Sequence, residues 1–162
     1  DVIKSPITNV SVSGVSIVSP TPDITNARIE FENGSVANLT ASRISLKNMR
    51  RHRIFQKDAY ITVDFLDKKT DIVRIKDVEG EINPLSMTID LADGSCKQIT
   101  IDQPEVTPIN AIMTELESFH NAIVNNTEPP VTIHDGVMAL KVCYMILEEI
   151  ERNQQIVQNH LK

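Results

Sequence analysis

The sequence predicts an α+β fold, an open, mostly antiparallel β-sheet of about seven or eight strands with two long helices on one face. Three observations predict it. Before Pro108, apolar residues recur at every second position in short segments. Clusters of Gly, Pro, Asn and Asp separate those segments at hairpin distances. From Pro108 onward the apolar spacing changes to about 3.6, the helical period.

Composition sets the frame for that fold. A chain of 162 residues fits one domain, here residues 1–162, and buries roughly 68–70% of its unfolded surface without a disulfide or metal staple. Hydrophobic residues at 41% and charged residues at 23% are ordinary for a soluble globular chain. No apolar run approaches the roughly 18 residues of a spanning helix, and no basic-then-apolar leader opens the sequence. A net charge of -6 argues against a nucleic-acid partner. Cys96 and Cys143 lie far apart with no metal-ligand or redox spacing, which fits a reducing, cytoplasmic compartment. Sequons at Asn33, Asn38 and Asn125 would matter only in a secreted eukaryotic chain.

In chain order, Asp1 to Lys4 reads as the last turn of a helix that Ser5-Pro6 breaks, so the sequence looks excised from a larger chain. Asn9 to Ser13 alternates as a strand, and Ser19 to Asp23 is a turn cluster. The stretch from Ala27 to Ile44 is a hairpin about Asn33-Gly34, read as a two-residue type I′ turn. In that register Phe31 faces Val36, Ile29 faces Asn38 and Ala27 faces Thr40. One face then carries Ala27, Ile29, Phe31, Val36 and Ile44. The other, with Arg28, Glu30, Ala37, Leu39, Ala41 and Arg43, is a small apolar centre in a charged frame, as expected of a surface shared with another chain.

Lys47, Arg50, Arg51, His52, Arg53 and Lys57 form a cationic run. It is either a strand with a solvated outer face or a strand end that meets a phosphate or carboxylate. Asp58 to Leu66 alternates with one strongly apolar face and Ile72 to Ile75 returns. After a charged connection from Asp77 to Pro84 containing Gly80, Met87 to Leu91 and Gln98 to Ile101 flank a second hairpin turn at Ala92 to Ser95. The first helix starts at Pro108 with Thr107 as N-cap and lays Ile109, Ile112, Met113, Leu116, Phe119 and Ile123 on the sheet. The second runs from Val137 to about Gln155, with Asp135 as its cap. It is apolar on most sides from Val137 to Leu147, so another part of the protein or another subunit has to cover it.

Residues with catalytic chemistry are scarce. There is no glycine-rich phosphate fingerprint, P-loop, HExxH or GxSxG. His120 reads as partly buried at a helix edge, His134 as a loop residue beside a capping Asp135, and His160 as part of a frayed tail. Asp64, Asp67 and Asp71 read as solvated carboxylates around a turn. Met138 and Met145 read as core filler.

Three segments carry a resemblance. Phe119 to Pro130 matches F-x-x-A-I-x-x-x-x-x-P-P, Asp135 to Leu140 matches D-G-x-x-A-L, and Ala27 to Ser42 matches A-x-I-x-F-x-N-G-x-x-A-x-L-x-A-S. Together they resemble the C-terminal domain of the Gfo/Idh/MocA family of NAD(P)-dependent oxidoreductases, most of all bacterial members directed at sugars or nucleotide sugars. The resemblance implies a substrate-binding and dimerisation domain of a dehydrogenase acting on a sugar, nucleotide sugar or polyol. It implies a homodimer or higher homo-oligomer through the open sheet face. NAD or NADP would be bound by an N-terminal Rossmann domain of the parent protein and not by these residues, because the glycine-rich turn and the Glu-Lys-Pro lysine have no counterpart here. The Asp and His that assist transfer in the family would precede Asp1, leaving no catalytic residue in this stretch. Arg43, Lys47 and Arg50 are the expected substrate contacts. The contrasting expectation is a self-associating scaffold, or an anionic-ligand module without chemistry.

Overall fold

A computed structural model describes residues 2–78 and 87–160, with side chains described through Ile156. Asp1, the side chain of His160, and residues 79–84 of the expected charged connection lie outside the described residues. The described strands number eight, and the chain divides into two compact units, residues 1–46 with 111–162 and residues 47–110. Residues 2–5 are not helical, contrary to the expected helix end. So few residues cannot close an i→i−4 hydrogen bond among themselves.

In the first unit, β1 (Ile7–Val15), β2 (Ile24–Phe31) and β3 (Val36–Ser42) form an antiparallel sheet in the order β1-β2-β3. The β2–β3 turn differs from the expected one. The Phe31 amide donates to the Ser35 carbonyl at 3.0 Å and the Gly34 amide to the Phe31 carbonyl at 2.9 Å, so the loop is Glu32-Asn33-Gly34. Only Gly34 is left-handed there, with φ +80°. Adding Glu32 to the loop lets Asn33 keep a negative φ, so a single glycine meets the geometric demand that a type I′ turn places on two residues.

That one extra loop residue moves the register by one. Ile29 now faces Ala37 and Ala27 faces Leu39. A slip of one transfers every β3 side chain to the opposite face. Ala37, Leu39 and Ala41 therefore join Val10, Val12, Ala27 and Ile29, while Ser11, Ser13, Asn26, Arg28, Asn38 and Thr40 share the other side. The expected mixed face does not exist on this sheet; its outer side is polar.

The apolar side receives the C-terminal half of α2 (Ile133–His160). Ile150, 4% exposed, packs with Val12 and Ala27, and Val10 and Ile146 close the cluster. Gly14 makes the seat. A β-carbon there would stand 3.1 to 3.3 Å from three carbons of the Ile150 side chain. Asn153 Nδ2 donates to the Val12 carbonyl at 2.8 Å and fixes the helix along β1.

Helix α2 begins before Val137 because Thr132, not Asp135, caps it. The Asp135 amide donates to Thr132 Oγ1 at 3.2 Å, and Thr132 N and Oγ1 donate to Asp135 Oδ2 at 2.8 and 2.7 Å. This reciprocal capping box puts Asp135 at the third helical position. Those bonds, led by that from the Thr132 amide, hold the Asp135 carboxyl below its usual range.

Helix α1 (Ala111–Val124) starts three residues later than Pro108. It ends in a Schellman arrangement, in which the amides of Asn126 and Thr127 donate to the carbonyls of Ile123 and Ala122 at 3.2 and 2.9 Å. Asn126 takes the left-handed position, φ +51°. The α1 stripe is not laid on a sheet: Ile112, Leu116 and Phe119 are exposed and Ala122 is the buried residue of the helix. The apolar side of the three-stranded sheet is instead taken by α2 at β1. On α2 itself, Val137, Leu140, Tyr144 and Leu147 are exposed, in line with a helix whose apolar sides exceed what its own unit covers. Met138 and Met145 also lie on the open side rather than in the core.

The second unit is a five-stranded antiparallel sheet in the order β4-β5-β6-β8-β7. Its strands are β4 (Arg51–Phe55), β5 (Ala59–Asp64), β6 (Lys69–Asp77), β7 (Met87–Asp90) and β8 (Cys96–Asp102). The β7–β8 turn repeats the β2–β3 turn. Leu91 and Ser95 close it, and Ala92-Asp93-Gly94 spans it with Gly94 at φ +81°. The cross-strand pairs Phe55–Tyr60, Tyr60–Val73, Val73–Ile101 and Ile75–Ile99 place an apolar band on one face, continued by Met87 opposite Ile99. Phe55, 75% exposed, stacks on Tyr60 with ring centroids 4.8 Å apart. Arg53, Asp71, Asp77 and Lys97 surround this band.

Candidate functional site

The cationic residues expected to meet substrate divide into braces and free groups. Arg43 is a brace. Its Nη2 donates to Thr21 Oγ1 at 2.7 Å and to the Pro22 carbonyl at 3.0 Å, and its Nε lies 3.1 Å from Asp23 Oδ1. All three partners belong to the β1–β2 turn, so the guanidinium fork is filled by its own unit.

Asp23 organises that turn from a site 2% exposed. Its Oδ2 accepts from the amides of Ile17, Val18 and Ser19 at 2.7, 2.8 and 3.2 Å, and Oδ1 accepts from Ser19 Oγ at 3.0 Å. Three successive amides converging on one oxygen make an anion nest, here occupied by the chain's own carboxylate. The bonds from Ile17 and Val18 lower its pKa to about 2, against the opposing effect of desolvation.

Lys47 and Arg50 are the free cations. Both are exposed, and no hydrogen bond or ion pair engages either side chain among the described residues. They belong to the unit of residues 47–110, whereas Arg43 belongs to the other. Neighbouring Arg51 is committed instead, with Nε and Nη2 donating to Asp64 Oδ2 at 3.0 and 2.5 Å. Asp64 Oδ1 accepts from the amides of Leu66 and Asp67 at 3.0 Å each. The solvated reading of Asp64 is therefore corrected. It is a buried turn anchor, with its pKa lowered first by the Asp67 amide and then by Arg51. The signal for this pair was available, since Arg51 and Asp64 are cross-strand partners once the β4–β5 hairpin is drawn. Asp71 is engaged by Gln103 Nε2 at 2.7 Å.

Among the described residues, the histidines build no proton-transfer pair. His52 meets Phe65 edge to face at 5.0 Å, His134 lies exposed in the first turn of α2 rather than in a loop, and His120 is exposed rather than partly buried. No three His, Cys, Asp or Glu side chains come together among the described residues, and no described helix is long and apolar enough to cross a membrane. A dinucleotide would need a parallel strand–turn–helix crossover with its phosphates at the helix N-terminus. Every strand pair described is antiparallel, and α2 opens on a Thr132–Asp135 capping box rather than a glycine turn. No such strand–turn–helix crossover occurs among the described residues.

No family model matches the chain. It is 32% identical over 142 residues, 86% of its length, to UDP-N-acetylglucosamine 3-dehydrogenase of Acidithiobacillus ferrooxidans. The solved structure of that dehydrogenase superposes with a TM-score of 0.74 over 91% of this chain at 25% identity. The fold of this chain matches that of Gfo/Idh C-terminal domains. The chain spans 40% of the length of the Acidithiobacillus ferrooxidans dehydrogenase, so it corresponds to part of a longer protein there. Levoglucosan dehydrogenase, solved with NADH and levoglucosan, shares the fold at 16% identity and a TM-score of 0.62. An NAD-binding protein from Listeria innocua does so at 18% and 0.62. The proteins that share this fold thus include one named as a dehydrogenase of a nucleotide sugar and one solved with a sugar.

Proposed function

We propose that the chain is the substrate-side and oligomerisation domain, residues 1–162, of a cytoplasmic NAD(P)-dependent dehydrogenase acting on a nucleotide sugar. The observation that supports the reading most is the 32% identity to UDP-N-acetylglucosamine 3-dehydrogenase, which runs through both compact units. The nicotinamide nucleotide would supply hydride acceptance at a hydroxyl-bearing carbon, and another domain of the protein would hold it. This domain's part is to bind and orient. Lys47 and Arg50, exposed and without a side-chain partner among the described residues, offer positive charge to the diphosphate of such a substrate, and Arg43 holds the β1–β2 turn in place behind them in sequence.

The full-length protein is expected to reduce NAD or NADP in the presence of UDP-N-acetylglucosamine. Lys47→Ala and Arg50→Ala should each raise KM roughly tenfold with little change in kcat, because a uniformly bound diphosphate contributes to binding and not to chemistry. No nicotinamide reduction with any nucleotide sugar or polyol would count against the dehydrogenase reading and favour a non-catalytic scaffold. Unchanged KM in both variants would remove these residues from the substrate site.

Self-association is assigned to the five-stranded sheet. Its Phe55–Tyr60–Val73–Ile101 band is an apolar centre in a charged frame, the character first expected of the β2–β3 hairpin. Ile75→Lys, in the middle of that face, should weaken dimerisation tenfold or more on the usual scale of interface hot spots, about 1.4 kcal/mol per decade. Sedimentation equilibrium reads the effect. Identical association constants for both proteins would place the contact elsewhere.

A further inference from the structure

We propose that Asn33 is a site of spontaneous deamidation, and that the fold accepts its aspartate product but not its isoaspartate product. Asn33 and Gly34 are exposed at the tip of the β2–β3 hairpin. Because glycine has no side chain, its amide nitrogen can approach the preceding side-chain carbonyl closely. In the reaction the Gly34 amide gives its proton to solvent and its nitrogen bonds to Cγ of Asn33. The bond from Cγ to the side-chain nitrogen breaks and ammonia leaves. Water then opens the five-membered imide at either carbonyl, yielding aspartate or isoaspartate without any change of oxidation state.

Both reacting groups are restrained in the folded turn. The Gly34 amide donates to the Phe31 carbonyl at 2.9 Å, and Asn33 Oδ1 accepts from the Ser35 amide at 3.0 Å. Ring closure requires both bonds to open, so the rate follows local unfolding of the turn.

The second hairpin shows what the aspartate product would meet. Its loop has the same closing bonds, with the Leu91 amide on the Ser95 carbonyl at 2.8 Å and the Gly94 amide on the Leu91 carbonyl at 3.0 Å. At the position equivalent to Asn33 it carries Asp93, whose Oδ1 accepts from the Ser95 amide at 2.9 Å, the same bond that Asn33 makes. An aspartate therefore fits this turn. An isoaspartate adds a backbone methylene inside a loop whose length sets the register, and a slip there would turn Leu39 and Ala37 away from Ala27 and Ile29.

The protein is aged at mildly alkaline pH, folded or in urea, and its peptides are mapped for the amide-to-acid mass change and for isoaspartate. The expected result is conversion at Asn33 in both samples, at least roughly tenfold slower when folded. The Asn33→Asp variant should melt within a few degrees of the parent, and the isoaspartate-containing fraction should melt lower or elute as unfolded. Absence of conversion at Asn33 in urea, equal rates in the two states, or an Asn33→Asp variant as unstable as the isoaspartate fraction would each overturn the proposal.

Discussion

Replacing Ile150 with alanine is expected to cost about 3 kcal/mol, within the range for truncating a buried isoleucine. The site offers little chance of collapse. Ile150 enters a seat made by the absent side chain of Gly14 and is flanked by Val12 and Ala27 on the strands below. Backbone hydrogen bonds of β1 and β2 hold those strands in place, so most of the cavity would remain open. The opposite experiment tests the same contact. Gly14→Ala puts a β-carbon 3.1 to 3.3 Å from three Ile150 carbons, which is overpacking and should cost about 1 kcal/mol or more. The two changes are complementary in volume, so the double variant should be more stable than the sum of the singles predicts. Chemical denaturation of the four proteins measures the coupling. Strict additivity would show that Ile150 and Gly14 do not share a seat.

The Asp23→Asn variant is expected to lower the melting temperature on the order of 5 °C at neutral pH. Either orientation of an asparagine amide turns its NH2 toward donors, the Ile17, Val18 and Ser19 amides on one side or Ser19 Oγ and Arg43 on the other. The variant also leaves the Arg43 guanidinium without its charged partner. The pH dependence has a definite sign. The folded carboxyl titrates at about 2, below its usual 3.8, so its contribution is complete above pH 4 and is lost as pH falls toward 2. The gap between wild-type and variant melting temperatures should therefore narrow across that window. A gap that stays constant from neutral pH to pH 2 would mean the carboxylate's charge contributes nothing.

Much of this fold was legible because alternation and helical periodicity are local properties. The strands around Val10, Ile61, Val73, Ile89 and Ile99 and both helices follow from spacing alone. What spacing could not supply was the count of residues in a turn. Asn33-Gly34 marked the hairpin correctly, yet whether Glu32 belonged to strand or loop decided the face of Leu39, and only the Phe31–Ser35 bond shows it. The same limit applied at Asp135, a good capping residue that acts from the third helical position because Thr132 stands before it. Among the candidate site residues, sequence marked Arg43, Lys47 and Arg50 as equals. The difference arises from Asp23, twenty residues from Arg43 in the chain, whose nest claims one cation and leaves the other two unclaimed.

The open stripe of α1 has a practical consequence for handling the protein. Ile112, Leu116, Phe119 and Ile123 present branched and aromatic carbon to water along three turns of helix. Such a strip is a target for chaperones and for other unfolded chains, so expression yield should depend strongly on whatever is supplied to cover it.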